Sequence, residues 1–125
     1  MNEQKLSVTV NDVRFSVWYD RYVFDRNNYY WSIEDVSYSY FNEPILIAEG
    51  DDLKSGVCEY GDYTPLAEMM KSFLSFFSAW LDSLEYENRT GNKGENWDLF
   101  NITNSKVLSL TSDDIAMASL EIFGE

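Results

Sequence analysis

One long segment with helical periodicity does most to limit what this chain can fold into. Its apolar residues recur at every third or fourth position, which is the pattern of a helix with one buried face. They are Leu66, Met69, Met70, Phe73, Leu74, Phe77, Trp80, Leu81 and Leu84. Thr64 suits an N-cap and Pro65 the first helical position. We predict a helix over about residues 64–86, whose buried face requires a large apolar surface opposite it.

The residues before this helix predict a sheet that could provide that surface. Alternating apolar and polar residues over 6–10 and 13–19 surround Asn11-Asp12, two residues that tolerate the positive φ of a tight turn. A third run, over 29–41, changes its alternation near Glu34-Asp35, which indicates a bulge or a break into two strands. Residues 45–48 are wholly apolar and follow a turn-forming segment. Short connections between such strands favour a meander.

The residues after the helix predict two smaller elements. Residues 87–94 are rich in helix breakers, and residues 97–102 resume an apolar pattern typical of a strand or an extended segment. Ser112-Asp113-Asp114 is typical of a helix start, and we expect Ala118 and Leu120 on the buried side of that helix. The predicted fold is therefore a single α+β domain over 1–125. It has an antiparallel β-meander of about four strands packed by one long helix, with a short C-terminal strand and helix.

The residue types present argue against an enzyme. Histidine is absent, which removes the usual general base, the commonest zinc ligand and every Ser-His or Cys-His nucleophile pair. Cys58 lies among acidic residues, which raise the pKa of a thiol and suppress the thiolate. Adjacent carboxylates occur, but with 22 acids in the chain such pairs arise by chance. We predict no catalytic, cofactor-binding or metal-binding residues, and we keep an enzyme that uses paired carboxylates as a minor alternative.

Cysteine content and hydropathy predict the cellular compartment of the protein. A single cysteine forbids an internal disulfide, and residues 1–5 show no pattern of a signal peptide. No apolar run approaches the roughly 20 residues that span a membrane. We therefore expect a cytoplasmic protein that does not contact membranes.

The net charge is −13, from 22 acids and 9 bases, and it is unevenly distributed. Residues 1–30 hold four acids and four bases, so residues 31–125 carry the whole excess. We predict no direct binding to nucleic acid, because phosphate contacts need Lys and Arg. Either the charge only maintains solubility, or it matches a basic partner.

Aromatic and acidic residues together predict the working surface. Strand alternation cannot place every aromatic residue of segment 18–41 on the side facing the helix: where Val17 and Trp31 face inward, Trp18 and Tyr30 face outward. Exposed Tyr and Trp are enriched at interfaces, although these rings could instead cover one another. Segment 43–62 adds six acids against Lys54 alone. The predicted partner-binding residues are Glu43, Glu49, Asp51, Asp52, Glu59, Asp62, Trp18, Tyr30, Glu34 and Asp35.

Besides the minor alternative of an enzyme, three functions remain open at this point. The first is a non-catalytic inhibitor whose carboxylates occupy the basic groove of a nucleic-acid-handling enzyme, as in anti-CRISPR or antirestriction proteins that mimic DNA. The second is an immunity protein that neutralises a toxin. In size, acidity and lack of histidine the chain is similar in character to both groups. The third is a ligand- or glycan-binding module that uses exposed aromatics. A homodimer is compatible with each of them.

Overall fold

The structure is a computed structural model that describes residues 5–18, 30–37, 43–50 and 66–123. Four strands and three helices follow one another: β1 (Lys5–Val10), β2 (Val13–Trp18), β3 (Tyr30–Asp35), β4 (Ile45–Gly50), α1 (Leu66–Thr90), α2 (Ser105–Leu108) and α3 (Ser112–Phe123). The strands form one antiparallel sheet in the order β1-β2-β3-β4. The predicted α+β fold, a meander packed against one long helix, is confirmed.

The β1–β2 hairpin turns at the two predicted residues. Asn11 has φ 50° and Asp12 has φ 65°, which is the positive-φ pair that a two-residue turn between twisted strands requires. The register then places Val10 opposite Val13, and Val8 opposite Phe15. The turn therefore aligns the apolar residues of both strands on one face.

A register shift separates the two halves of the β3–β4 pairing. Ile33 pairs with Ala48, whereas Glu34 pairs with Leu46, so β4 contains one extra residue at this point. An extra residue of this kind is a β-bulge, which bends the strand and strengthens its twist. The register shift lies beside Glu34, but the extra residue is in β4 and not in the run over 29–41, where a bulge or a break was expected; β3 itself ends at Asp35. The predicted continuation of this run through residues 38–41 lies outside the described residues.

The chain separates into two compact units, Met1–Phe73 and Leu74–Glu125, and α1 runs through the boundary. In the first unit the sheet packs against the first turns of α1. The ring of Phe73 meets Phe15 edge-on at 5.8 Å and Trp31 at 5.3 Å, centroid to centroid. Met69 and Met70 are also buried. The sheet supplies the apolar surface that the helix requires.

The second unit is built on an aromatic cluster. Phe77, Trp80 and Phe100 lie 5.5–5.6 Å from one another between ring centroids. The indole N–H of Trp80 donates to the backbone carbonyl of Trp97 at 3.1 Å. This bond satisfies the polar atom of a buried ring and fixes the loop after α1. The other buried apolar residues described in this unit are Leu74, Leu81, Ile102, Val107, Leu110 and Ile115.

The long helix ends later than the sequence predicted. It continues to Thr90, and Gly91, with φ 77°, follows it. The amide of Gly91 donates to the carbonyl of Glu87 at 2.8 Å. A glycine in the left-handed region is a common helix stop, so the first glycine of the breaker-rich segment, and not its polar residues, ends α1. Thr64 and Pro65, the predicted start, lie outside the described residues.

Two expectations for the C-terminal residues were wrong. Residues 97–104 are described throughout and contain turns and irregular chain but no strand; Phe100 and Ile102 are buried within this segment. Leu120 in α3 is 53% exposed and does not lie on a buried side. The burial of Ile115 agrees with the predicted helix. Within the described part of the chain, no helix combines the length and apolarity needed to cross a membrane.

Candidate functional site

The outer face of the sheet, which is the face opposite α1, carries three parallel rows of side chains. The register aligns Lys5, Trp18 and Tyr30 in the first row. Ser7, Ser16, Ser32 and Glu49 form the second row, and Thr9, Arg14, Glu34 and Leu46 form the third. Adjacent side chains in such a row are close enough to interact. Of the ten predicted site residues, Trp18, Tyr30, Glu34 and Glu49 therefore share one face.

The first row is an internally packed aromatic pair. Trp18 and Tyr30 stack at 5.9 Å with 17° between their planes. The ammonium of Lys5 lies 4.5 Å from the centroid of the Trp18 ring, which is a cation–π contact. Both rings are half-buried. Sequence alternation placed these rings correctly on the outer face, and they cover one another there.

Two of the predicted acidic site residues have partners within the chain. The guanidinium of Arg14 donates to Glu34 Oε1 from Nε at 3.0 Å and from an Nη at 2.8 Å. Asp35 Oδ1 accepts from the backbone amide of Ser37 at 3.0 Å and from its hydroxyl at 2.6 Å. Both carboxylates therefore stabilise the sheet and the turn after it, which leaves them less available to a partner.

The two central serines of the second row are buried. Ser16 is fully buried and Ser32 is 4% exposed, although neither points toward α1. Ser7 and Ser16 share a hydrogen bond of 2.7 Å between their hydroxyls. The hydroxyl of Ser32 is buried and has no hydrogen-bond partner among the described residues. The centre of this face, at Ser16 and Ser32, is therefore not open to a partner.

The edge strand β4 presents a different surface. Ile45 is 55% exposed and Leu46 is 51% exposed, although they are consecutive and point to opposite faces. Glu43 precedes the strand and Glu49 lies near its end, and both are exposed. Neither of these carboxylates forms an ion pair with another described residue. Here two predicted site residues flank a short exposed apolar strand.

The remaining predicted site residues, Asp51, Asp52, Glu59 and Asp62, lie outside the described residues, as does Cys58. The second unit carries acidic residues that the sequence reasoning did not single out. All are exposed and form no ion pair with another described residue. They are Asp82, Glu95, Asp98, Asp113 and Glu121. Acidic residues occur throughout 31–125, so the sequence indicated these five only as part of the general excess of acids.

The second unit also contains an open cavity of about 480 Å³ between the C-terminal part of α1 and the segment that joins α2 to α3. Asp82, Glu85 and Asp113 contribute carboxylates to its lining, beside leucine side chains and the hydroxyls of the α2–α3 segment. Glu85 lies 3.9 Å from Arg89, so part of this charge is offset. The described residues contain no group of three or more His, Cys, Asp or Glu side chains placed to hold a metal ion.

Comparisons with models of protein families, with curated proteins and with solved structures yield no match. Function must therefore be argued from the arrangement of the residues themselves.

Proposed function

We propose that the protein is a non-catalytic acidic inhibitor that binds and blocks a basic enzyme, most simply one that handles nucleic acid. The observation that supports it is a set of exposed carboxylates, on both compact units, that form no ion pair with another described residue. A nucleic-acid-binding groove is lined with Lys and Arg matched to closely spaced phosphates. Carboxylates on a folded surface can compete for such a groove, and their long-range field accelerates association at low salt.

The arrangement on the sheet favours this function over a glycan-binding module. A sugar-binding aromatic needs an open ring face on which the sugar can stack. Lys5 and Tyr30 lie on either side of Trp18 within its row, and both contact its ring. The aromatic pair is therefore better placed to stabilise the sheet than to bind a sugar. Mobile-element antidefence and toxin immunity use the same surface chemistry, and the identity of the captured enzyme would separate them.

The proposal is tested by capture followed by an activity assay. The protein is immobilised and exposed to host extract or to candidate nucleases at low and at high salt, and the captured enzyme is assayed for cleavage or binding of nucleic acid. We expect one basic enzyme, captured less strongly as salt rises, whose activity falls when the protein is added. Capture that is insensitive to salt, or a captured enzyme that keeps its full activity, contradicts the proposal.

Charge neutralisation locates the contact. In Glu43→Gln/Glu49→Gln we expect affinity for the captured enzyme to fall by about 1 kcal/mol, because two unpaired carboxylates at an interface are lost. Thr9→Lys/Asp12→Asn changes the net charge by the same amount at exposed positions of the β1–β2 hairpin, and should alter affinity far less. Equal losses of affinity in the two variants would show that only total charge matters, and would contradict a contact at segment 43–62.

A further inference from the structure

We propose that β4 is a strand-addition site, at which an extended segment of the basic partner pairs with the outer edge of the sheet. The inference rests on the proposed function and specifies how the partner docks. The partner segment would have an apolar centre with Lys or Arg at both ends. Three observations support it: the position of β4, its contrast with β1, and the charges around it.

The position of β4 makes pairing possible. It is the terminal strand in the order β1-β2-β3-β4, and β3 is its only partner among the described strands. An edge strand has backbone N–H and C=O groups that its own sheet does not use, and these can pair with an added strand. Ile45 and Leu46 are more than half exposed on opposite faces. An added strand would therefore find apolar contacts on both sides of the sheet.

The opposite edge of the same sheet lacks these properties. The outward residues of β1 are Lys5, Ser7 and Thr9, all polar and exposed; of its apolar residues, Val8 and Val10 are buried and Leu6 is half-buried. Lysine and polar residues are the usual means by which proteins keep an edge strand from pairing. β4 has no lysine and four consecutive apolar residues, 45–48. The two edges of one sheet thus differ in the feature that controls strand addition.

The charges around β4 select the occupant. Glu43 and Glu49 lie at its two ends, and both are exposed. Opposite charges across neighbouring strands stabilise pairing and like charges oppose it, so cations are favoured at both ends of an added strand. A second copy of this chain would bring the same glutamates and another net charge of −13. Pro44 has no N–H to donate, so pairing would be confined to the strand that follows it.

The first test uses a synthetic peptide of alternating valine and threonine with lysine at both ends, titrated into the full chain and followed by backbone amide NMR. We expect shifts concentrated in residues 43–50. The same peptide with glutamate at both ends should bind at least about tenfold more weakly. Shifts outside this segment, or equal binding of the two peptides, would overturn the inference.

Matched variants separate the edge from the overall charge. Leu46→Lys should weaken binding of the lysine-ended peptide at least about tenfold, because a lysine blocks the edge and repels the peptide. Thr9→Lys adds the same charge to β1 and should change binding less than about twofold. If Leu46→Lys does not fold, Ile45→Thr takes its place, because it removes an exposed apolar side chain from β4 and keeps a β-branched residue. Equal effects of Leu46→Lys and Thr9→Lys overturn the inference.

The two proposals fail in different ways. If a basic enzyme is captured equally by the wild type and Leu46→Lys, strand addition to the partner is wrong while inhibition stands. If no basic enzyme is captured but the peptide binds at β4 as expected, the proposed function is wrong and β4 remains a strand-addition site. A wild-type dimer in sedimentation that Leu46→Lys dissociates would identify the occupant as a second copy, and would overturn the basic partner.

Discussion

Gly94 shows how strongly one residue position can be constrained in this protein. A Cβ at this position would lie 2.7 Å from both Cα and Cβ of Ser83, which is closer than van der Waals contact. Ser83 is itself buried, and its hydroxyl accepts from the backbone amide of Asn96 at 3.0 Å. The loop after α1 therefore packs directly on the helix backbone, and only glycine allows that approach.

We expect Gly94→Ala to lower the free energy of unfolding by about 1–3 kcal/mol, because a backbone atom must move to admit the methyl group. Urea unfolding followed by tryptophan fluorescence measures the change. Gly91→Ala is the matched control: its Cβ would have nothing within 4 Å, but its φ of 77° is unfavourable for alanine. It should cost about 1 kcal/mol from backbone strain alone. A Gly94→Ala protein as stable as the wild type would show that the loop can move away.

At the scale of elements, α3 begins with a reciprocal pair of hydrogen bonds. The backbone amide of Asp114 donates to the hydroxyl of Thr111 at 3.1 Å, and the backbone amide of Thr111 donates to Asp114 Oδ2 at 3.0 Å. This is a capping box, with aspartate in the place of the usual glutamate. The sequence prediction assigned the helix start to Ser112-Asp113-Asp114, and the tertiary structure adds the residue that caps it.

Thr111→Ala should therefore destabilise the protein by about 1 kcal/mol, the usual cost of losing an N-cap side chain. The measurement is the urea midpoint, together with amide hydrogen exchange in residues 112–116. Thr103→Ala removes the same atoms from an exposed threonine outside the helices and should leave both measurements nearly unchanged. Faster exchange in both variants would indicate a general loss of stability and would contradict a local capping effect.

The element boundaries show which signals the sequence carried. The turn at Asn11-Asp12 and the order of the strands followed from local chemistry, because alternation and turn residues act over a few positions. The end of α1 depended on which of several breaker residues took the left-handed conformation. Leu120 fits a buried helical stripe by spacing, yet it is exposed, because burial depends on what packs against a helix as well as on its periodicity.

At the scale of the whole molecule, the excess of acids opposes folding. Exposed carboxylates such as Asp82, Asp98 and Glu121 form no ion pair with another described residue. Their negative charges therefore repel one another in the compact state. We expect the urea midpoint to rise as NaCl increases from about 20 mM to about 500 mM, by the equivalent of roughly 1 kcal/mol, because salt screens this repulsion.

A variant with less negative charge provides the control for this effect. Glu43→Gln/Glu49→Gln/Glu121→Gln removes three of the unpaired charges, so its midpoint should depend less on salt than that of the wild type. A wild-type midpoint that falls with salt would mean that ion pairs such as Arg14–Glu34 outweigh the repulsion.

The sequence by itself determined the fold class, the hairpin turn, the apolar stripe of α1 and the outward placement of Trp18 and Tyr30. These follow from the periods of strand and helix, which repeat over a few residues. Only the tertiary structure decided that Glu34 has an internal partner in Arg14, that Ser16 and Ser32 are buried, and that Glu43 and Glu49 flank an exposed edge strand. Those facts depend on contacts between residues far apart in the chain, which the register of the sheet brings together. Local periodicity does not determine such contacts.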